Sequence, residues 1–144
     1  MKRTVILALL SLLSSMVFAQ EQKEGTGVPA EVIDAFGMLY AKVENVDWKL
    51  IEKNFEVSFV QNERAVSAVF DQQGNLMMVK NKIDHTELPI PIAAKLKNDY
   101  PDWSVQEAIL IDITGASSYY VELQKAGDRL NLTCSRQGDI LEIL

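Results

Sequence analysis

The sequence predicts an α+β fold: two tandem helix-plus-four-strand antiparallel repeats, with the helices packed on one face of the sheet. Three observations carry this. Residues 64–79, RAVSAVFDQQGNLMMV, read strand, turn, strand, with Val66, Ala68 and Phe70 on one face. Residues 129–143, RLNLTCSRQGDILEI, repeat the pattern, with Leu130, Leu132 and Cys134 alternating with Asn131 and Thr133. Gly74 and Gly138 mark the same place in both turns, where a residue without Cβ takes a positive φ.

In chain order, Lys2 and Arg3 precede an apolar run over residues 5–13, and Val17-Phe18-Ala19 follows as a small-residue site. This is the layout of a secretory signal peptide over residues 1–19, cleaved after Ala19. The run is shorter than the roughly 20 residues of a membrane span. The expected destination is the periplasm or the medium, with no membrane span left after cleavage. Residues 20–27, QEQKEGTG, read as a flexible leader.

Val28-Pro29 opens the first repeat, residues 28–84, because proline is tolerated in a first helical turn where its missing N–H costs nothing. Val32, Ala35, Phe36, Leu39 and Tyr40 continue at helical spacing. Gly37 weakens this helix by up to about 1 kcal/mol against alanine. Val46, Trp48 and Leu50 alternate with Asp47 and Lys49, and Phe55, Val57 and Phe59 with Glu56 and Ser58. With the 64–79 hairpin these make four short strands joined by polar turns, an antiparallel meander. Residues 81–87, NKIDHTE, read as the connector.

The second repeat, residues 85–144, restarts at Leu88-Pro89, 60 positions after Val28-Pro29. At that offset Ile92 matches Val32, Leu96 matches Phe36 and Tyr100 matches Tyr40. Tyr100-Pro101 ends the helix, since proline disfavours helical geometry in the residue before it. Residues 106–113 form a strand that is apolar on both faces, which places it centrally or under cover. Tyr119, Val121 and Leu123 match Phe55, Val57 and Phe59 at an offset of 64, as Gly138 matches Gly74. The change from 60 to 64 puts a small insertion near residues 114–117. A register kept across helix, strand and turn is a strong internal signal.

This arrangement resembles the PepSY-like, β-lactamase-inhibitor-protein-like (BLIP-like) periplasmic proteins of Bacteroidetes. The carrying residues are Val28-Pro29, Phe36, Tyr40, Trp48, Phe55, Phe59 and residues 70–76 in the first copy. Leu88-Pro89, Tyr100-Pro101, residues 119–123 and residues 137–141 carry it in the second. The resemblance covers the whole mature chain and implies a two-layer fold and the periplasm, without implying an activity. Ala41 stands where the second copy has Pro101, and Ser135 where the first has Asp71.

The chain of 144 residues has 14 basic and 20 acidic residues, a formal charge of −6 that becomes about −8 once Lys2 and Arg3 are removed. Nucleic acid and bare anionic membrane surfaces need a positive field, so neither is an expected partner. One cysteine excludes an internal disulfide, and Cys134 reads as a small buried hydrophobe. His85 is the only histidine and lies in the connector, which excludes a multi-histidine metal site. Asp84 and Glu87 beside it make no better than a weak metal site. The 71–76 turn lacks the repeated ligands of a calcium loop and reads as turn chemistry. No cofactor is expected, and the chain is read as a non-enzyme.

A binding face needs aromatic or arginine anchors. By strand phase the outward residues include Val60, Val69 and Tyr120, and Trp103 lies in the loop after Pro101. These four are the candidate partner-binding residues, for an unidentified protein or peptide held on the exposed sheet face. The alternative is a small-ligand, peptide or glycan binder using a cleft between the repeats near Trp103 and Tyr120. The sequence leaves the oligomeric state open.

Overall fold

The structure, a computed structural model, describes residues 27–144. The expected signal peptide and nearly all of the expected leader lie outside the described residues. Pro29 caps helix α1 (Ala30–Leu39), which buries Val32 and Phe36 on its sheet-facing stripe. Four strands follow: β1 (Glu44–Ile51), β2 (Asn54–Gln61), β3 (Arg64–Phe70) and β4 (Leu76–Ile83). A short 3-10 turn, His85–Glu87, leads into α2 (Ile90–Asp99), with Pro91 in its first turn and Ile92 and Leu96 buried. The chain closes with β5 (Ser104–Ile113), β6 (Ala116–Lys125), β7 (Asp128–Ser135) and β8 (Ile140–Ile143).

The eight strands form one antiparallel sheet in the order of the sequence. The two halves meet at β4 and β5, where Met78 pairs with Ile113 and Ile83 with Ala108. That seam corrects the expected connector, because residues 81–83 belong to β4. Asn81 and Lys82 pair with Leu110 and Ile109. The true connector begins at Asp84, whose carboxylate caps the 3-10 turn by accepting from the Thr86 N–H at 2.9 Å. Glu87 accepts in return from the Asp84 N–H and also from Arg64, both at 2.9 Å. The carboxylates beside His85 are therefore engaged in capping and in an ion pair to the β2–β3 turn.

Both helices pack on one face of the sheet, each over its own cluster. Under α1, Val32 and Phe36 meet Phe55, Val57, Phe59, Val66, Ala68 and Phe70. Under α2, Ile92 and Leu96 meet Tyr119, Val121, Leu123, Leu132 and Cys134. The first cluster is aromatic: Phe36 lies edge-on to Trp48 at 5.4 Å and to Phe59 at 5.2 Å. The second has one ring among its buried members, Tyr119, with Tyr100 and Trp103 packed at its border. Cys134 is fully buried within it, and burial pushes its thiol above the ordinary range, as suits an inert core residue.

Two hairpin turns fix the sheet to the helices. In one, the Asp71 carboxylate accepts from the Gln73 and Asn75 N–H groups, each at 2.9 Å. In the other, the Ser135 hydroxyl accepts from the Asp139 N–H at 3.1 Å. Gly74 (φ +80°) and Gly138 (φ +91°) close these turns against the first turns of α1 and α2. A Cβ would lie 2.7 Å from the Glu31 carbonyl oxygen at Gly74, and 2.9 Å from that of Pro91 at Gly138. Glycine is required there by both backbone conformation and contact.

Candidate partner-binding face

The face of the sheet opposite the helices carries none of the residues of either cluster. Strand alternation builds it. Val60 follows buried Phe59, Val69 lies between buried Ala68 and Phe70, and Tyr120 between buried Tyr119 and Val121. All three are half-buried on this open face. Cross-strand pairing adds Met78 beside Val69, then Ile113, with Ile109 directly opposite Tyr120. β5 is apolar on both sides because its Ile109 and Ile111 supply the middle of this face while Ala108 and Leu110 supply the core.

A groove of about 340 Å³ runs over β2 to β5 on this side, lined by Val60, Ala65, Ile109, Lys80, Lys82 and Glu107 among others. Three ion pairs cross the face. Lys80 Nζ lies 3.1 Å from Glu56 Oε1, Lys82 Nζ 2.9 Å from Glu107 Oε1, and Arg129 Nη1 3.6 Å from Glu122 Oε1. In each pair the cation stands further into solvent than its carboxylate. Side-chain exposure is 39% against 16%, 57% against 33%, and 70% against 20%. The Ser67 hydroxyl donates to the Glu56 carboxylate at 2.7 Å. That bond, followed by the Lys80 ammonium, lowers its pKa against the opposing effect of burial. Burial, with the carboxylates of Glu122 and Glu107, raises the Tyr120 phenol above its usual value. The face of an acidic protein thus presents basic groups outward around an apolar centre.

Trp103 sits elsewhere. It lies on the helix side just before β5, half-buried against the α2 cluster, with its backbone N–H donating to the Tyr100 carbonyl at 3.1 Å. The sheet separates it from Tyr120, so one cleft lined by both is excluded. Of the four residues singled out by sequence, Val60 lines the groove, Val69 and Tyr120 share its face, and Trp103 does not. Lys80, Lys82, Glu107 and Ile109 escaped sequence reasoning. The signal that could have found them was the doubly apolar β5 and the placement of residues 80–82 in a strand.

Among the described residues, no group of three or more His, Cys, Asp or Glu is placed to hold a metal ion. No described helix is long and apolar enough to cross a membrane. A family model described as "Putative beta-lactamase-inhibitor-like, PepSY-like" matches residues 53–142. The chain belongs to this PepSY-like family. Solved structures from Bacteroides share the fold of this PepSY-like protein. A BLIP-like protein from Bacteroides fragilis superposes with a TM-score of 0.72 at 16% identity, over 84% of this chain and 88% of that one. A DUF2874 family protein from Bacteroides uniformis gives 0.75 at 20% identity, over 81% and 88%. A protein from Bacteroides eggerthii described as a "putative periplasmic" protein gives 0.76 at 15% identity, over 81% and 88%. No curated protein sequence matches the chain.

Proposed function

We propose that this PepSY-like protein is an exported, non-catalytic binding module that holds a protein partner on the open face of its sheet. The observation that carries the reading is the layering of that face. Val60, Ala65 and Ile109 form an apolar groove, and Lys80, Lys82 and Arg129 stand outside the carboxylates they pair with. A partner surface that places an apolar side chain in the groove and carboxylates around it would meet these cations as counter-charges. The BLIP-like description of the Bacteroides fragilis protein supports a binding role. The signal-peptide layout of residues 1–19, together with the description of the Bacteroides eggerthii protein, supports a periplasmic location.

The scaffold reads as one unit made twice, residues 28–84 and 85–144. The backbone supports this beyond the sequence offsets. A register break lies between Glu44 and Asp47 in β1 and between Val105 and Glu107 in β5, and the two end 60 positions apart. They fall again between Val69 and Phe70 and between Thr133 and Cys134, 64 positions apart. Gly74 and Gly138 touch helix carbonyls that are themselves 60 positions apart, those of Glu31 and Pro91.

The test is affinity capture from envelope extract with three immobilised forms: wild type, Ile109→Asp with Lys80→Glu, and Lys95→Glu on α2. A protein that elutes from wild type and Lys95→Glu columns but not from the open-face variant is the expected result. Equal recovery from all three would refute the assignment of this face.

A further inference from the structure

The helix side of the second half holds a pocket that the corresponding place in the first half fills with aromatic rings. The pocket has a volume of about 290 Å³ and lies under the C-terminal end of α2. Leu88, Leu96 and Leu123 make its apolar wall, Tyr100 and Trp103 supply two aromatic side chains, and Lys97 is an exposed cation at its edge. In the first half, Phe36 and Phe59 lie ring to ring at 5.2 Å, and Tyr40 lies 4.7 Å from Phe59. Leu96 and Leu123 occupy the positions of those two phenylalanines, at the offsets of 60 and 64, while Tyr100 repeats Tyr40. Each exchange removes a ring, and Ala108 stands where the first half has Trp48; Trp103, at the place of Val43, returns one ring as part of the pocket wall. Close packing is the rule in protein interiors, so the missing rings leave space the chain itself does not fill. A cavity of about 150 Å³ is enough for benzene, and this one takes a single substituted ring.

The polar side of the pocket has one sign. Lys97 pairs with no carboxylate among the described residues, whereas its neighbour Lys95 lies 2.7 Å from Asp99. His85, also on the pocket wall, lies 3.4 Å from Asp84 and adds positive charge only when protonated. We propose that this pocket binds a small aromatic carboxylate, its ring against Tyr100 and Trp103 and its carboxylate at Lys97. Stacking on aromatic faces and a single unpaired ammonium are the recognition chemistry that the lining offers. The comparison between halves rests on the duplication proposed above. The pocket itself does not, and it lies on the opposite side of the sheet from the partner-binding face, so either assignment can fail alone.

Phenylacetate is the probe, titrated into the purified protein while Trp103 emission is followed in a Trp48→Phe background. The expected result is saturable quenching in the micromolar to low millimolar range. Leu123→Phe should weaken binding tenfold or more while leaving the melting temperature equal or higher, because the new ring occupies the space that Phe59 occupies in the first half. Leu96→Phe tests the same space from the helix should the first variant fold poorly. Lys97→Gln should weaken phenylacetate severalfold and leave neutral benzyl alcohol unaffected. Absence of saturation by phenylacetate at 10 mM or so, or binding indifferent to both ring-filling variants, overturns the proposal.

Discussion

At Gly37 an added Cβ meets nothing within 4 Å, and the backbone is ordinary helix. Alanine there should stabilise the protein by about 0.5–1 kcal/mol, the intrinsic helix difference. At Gly74 the same methyl group would be forced 2.7 Å from the Glu31 carbonyl oxygen, at a φ of +80°. Backbone strain alone costs about 1–3 kcal/mol for such a residue, and the contact adds to it. Gly74→Ala should therefore lower the urea midpoint by more than Gly127→Ala. Gly127 shares the positive φ (+95°) but has open space around its would-be Cβ. Denaturant titration of the three variants checks both the sign at Gly37 and the order of the other two. The turn glycines were legible in the sequence as turns. Their second duty, letting the sheet touch the helix backbone, was not, because a carbonyl of α1 approaching from more than forty positions away leaves no local mark.

Among the elements, β5 and β6 stand apart. Each has ten residues, whereas β1 and β2 have eight. On the duplication reading, the four extra residues lengthen both arms of the hairpin, adding the pairs Asp112–Ser117 and Ile113–Ala116. The sequence placed this insertion in the turn alone. The longer β5 is what reaches the start of β4, since Met78 pairs with Ile113 and Val79 with Asp112. Removing Asp112, Ile113, Ala116 and Ser117 should leave the turn at Thr114-Gly115 intact and strip Met78 and Val79 of their β5 partners, leaving only Val69 and Ala68 on β3. Hydrogen exchange should then accelerate at those of residues 78–80 whose N–H groups face β5 and stay slow at residues 81–83. Unchanged protection at every amide of residues 78–80 would refute this role. The strands themselves were readable because one face is buried and the other is not, so polarity alternates along β2, β3, β6 and β7. Alternation does not tell which strands lie side by side across the seam. The Glu56–Lys80 pair, which reaches from β2 over β3 to β4, was invisible for that reason. Trp103 does lie in the loop before β5, but α2 ends close enough to draw its side chain onto the second cluster.

On the scale of the molecule, two separate clusters share one continuous sheet, and each contains one tryptophan at its border: Trp48 in the first, Trp103 in the second. The β4–β5 ladder of six paired positions joins them. Both halves should unfold together, so single-tryptophan variants (Trp48→Phe and Trp103→Phe) should give coincident denaturation curves. Phe70→Ala and Leu132→Ala, each emptying one cluster of a fully buried side chain, should shift both curves alike, by about 3–5 and 2–5 kcal/mol. Curves that part company would mean that the seam is too weak to couple the halves.

The order of strands has one more consequence, for how such a chain comes into being. Each strand bonds only to its neighbours in sequence, so no step of assembly waits for a distant segment to return. A chain that emerges N-terminus first can zip up from its first hairpin, every new strand landing on an edge already prepared for it. The longest wait falls after Ile83, while α2 is still to come before β5. During that interval β4 is a bare edge with Met78 and Val79 at one end, able to accept the wrong strand from a second chain. A pause in the chain's emergence at that point is the moment at which this fold is most exposed to mispairing.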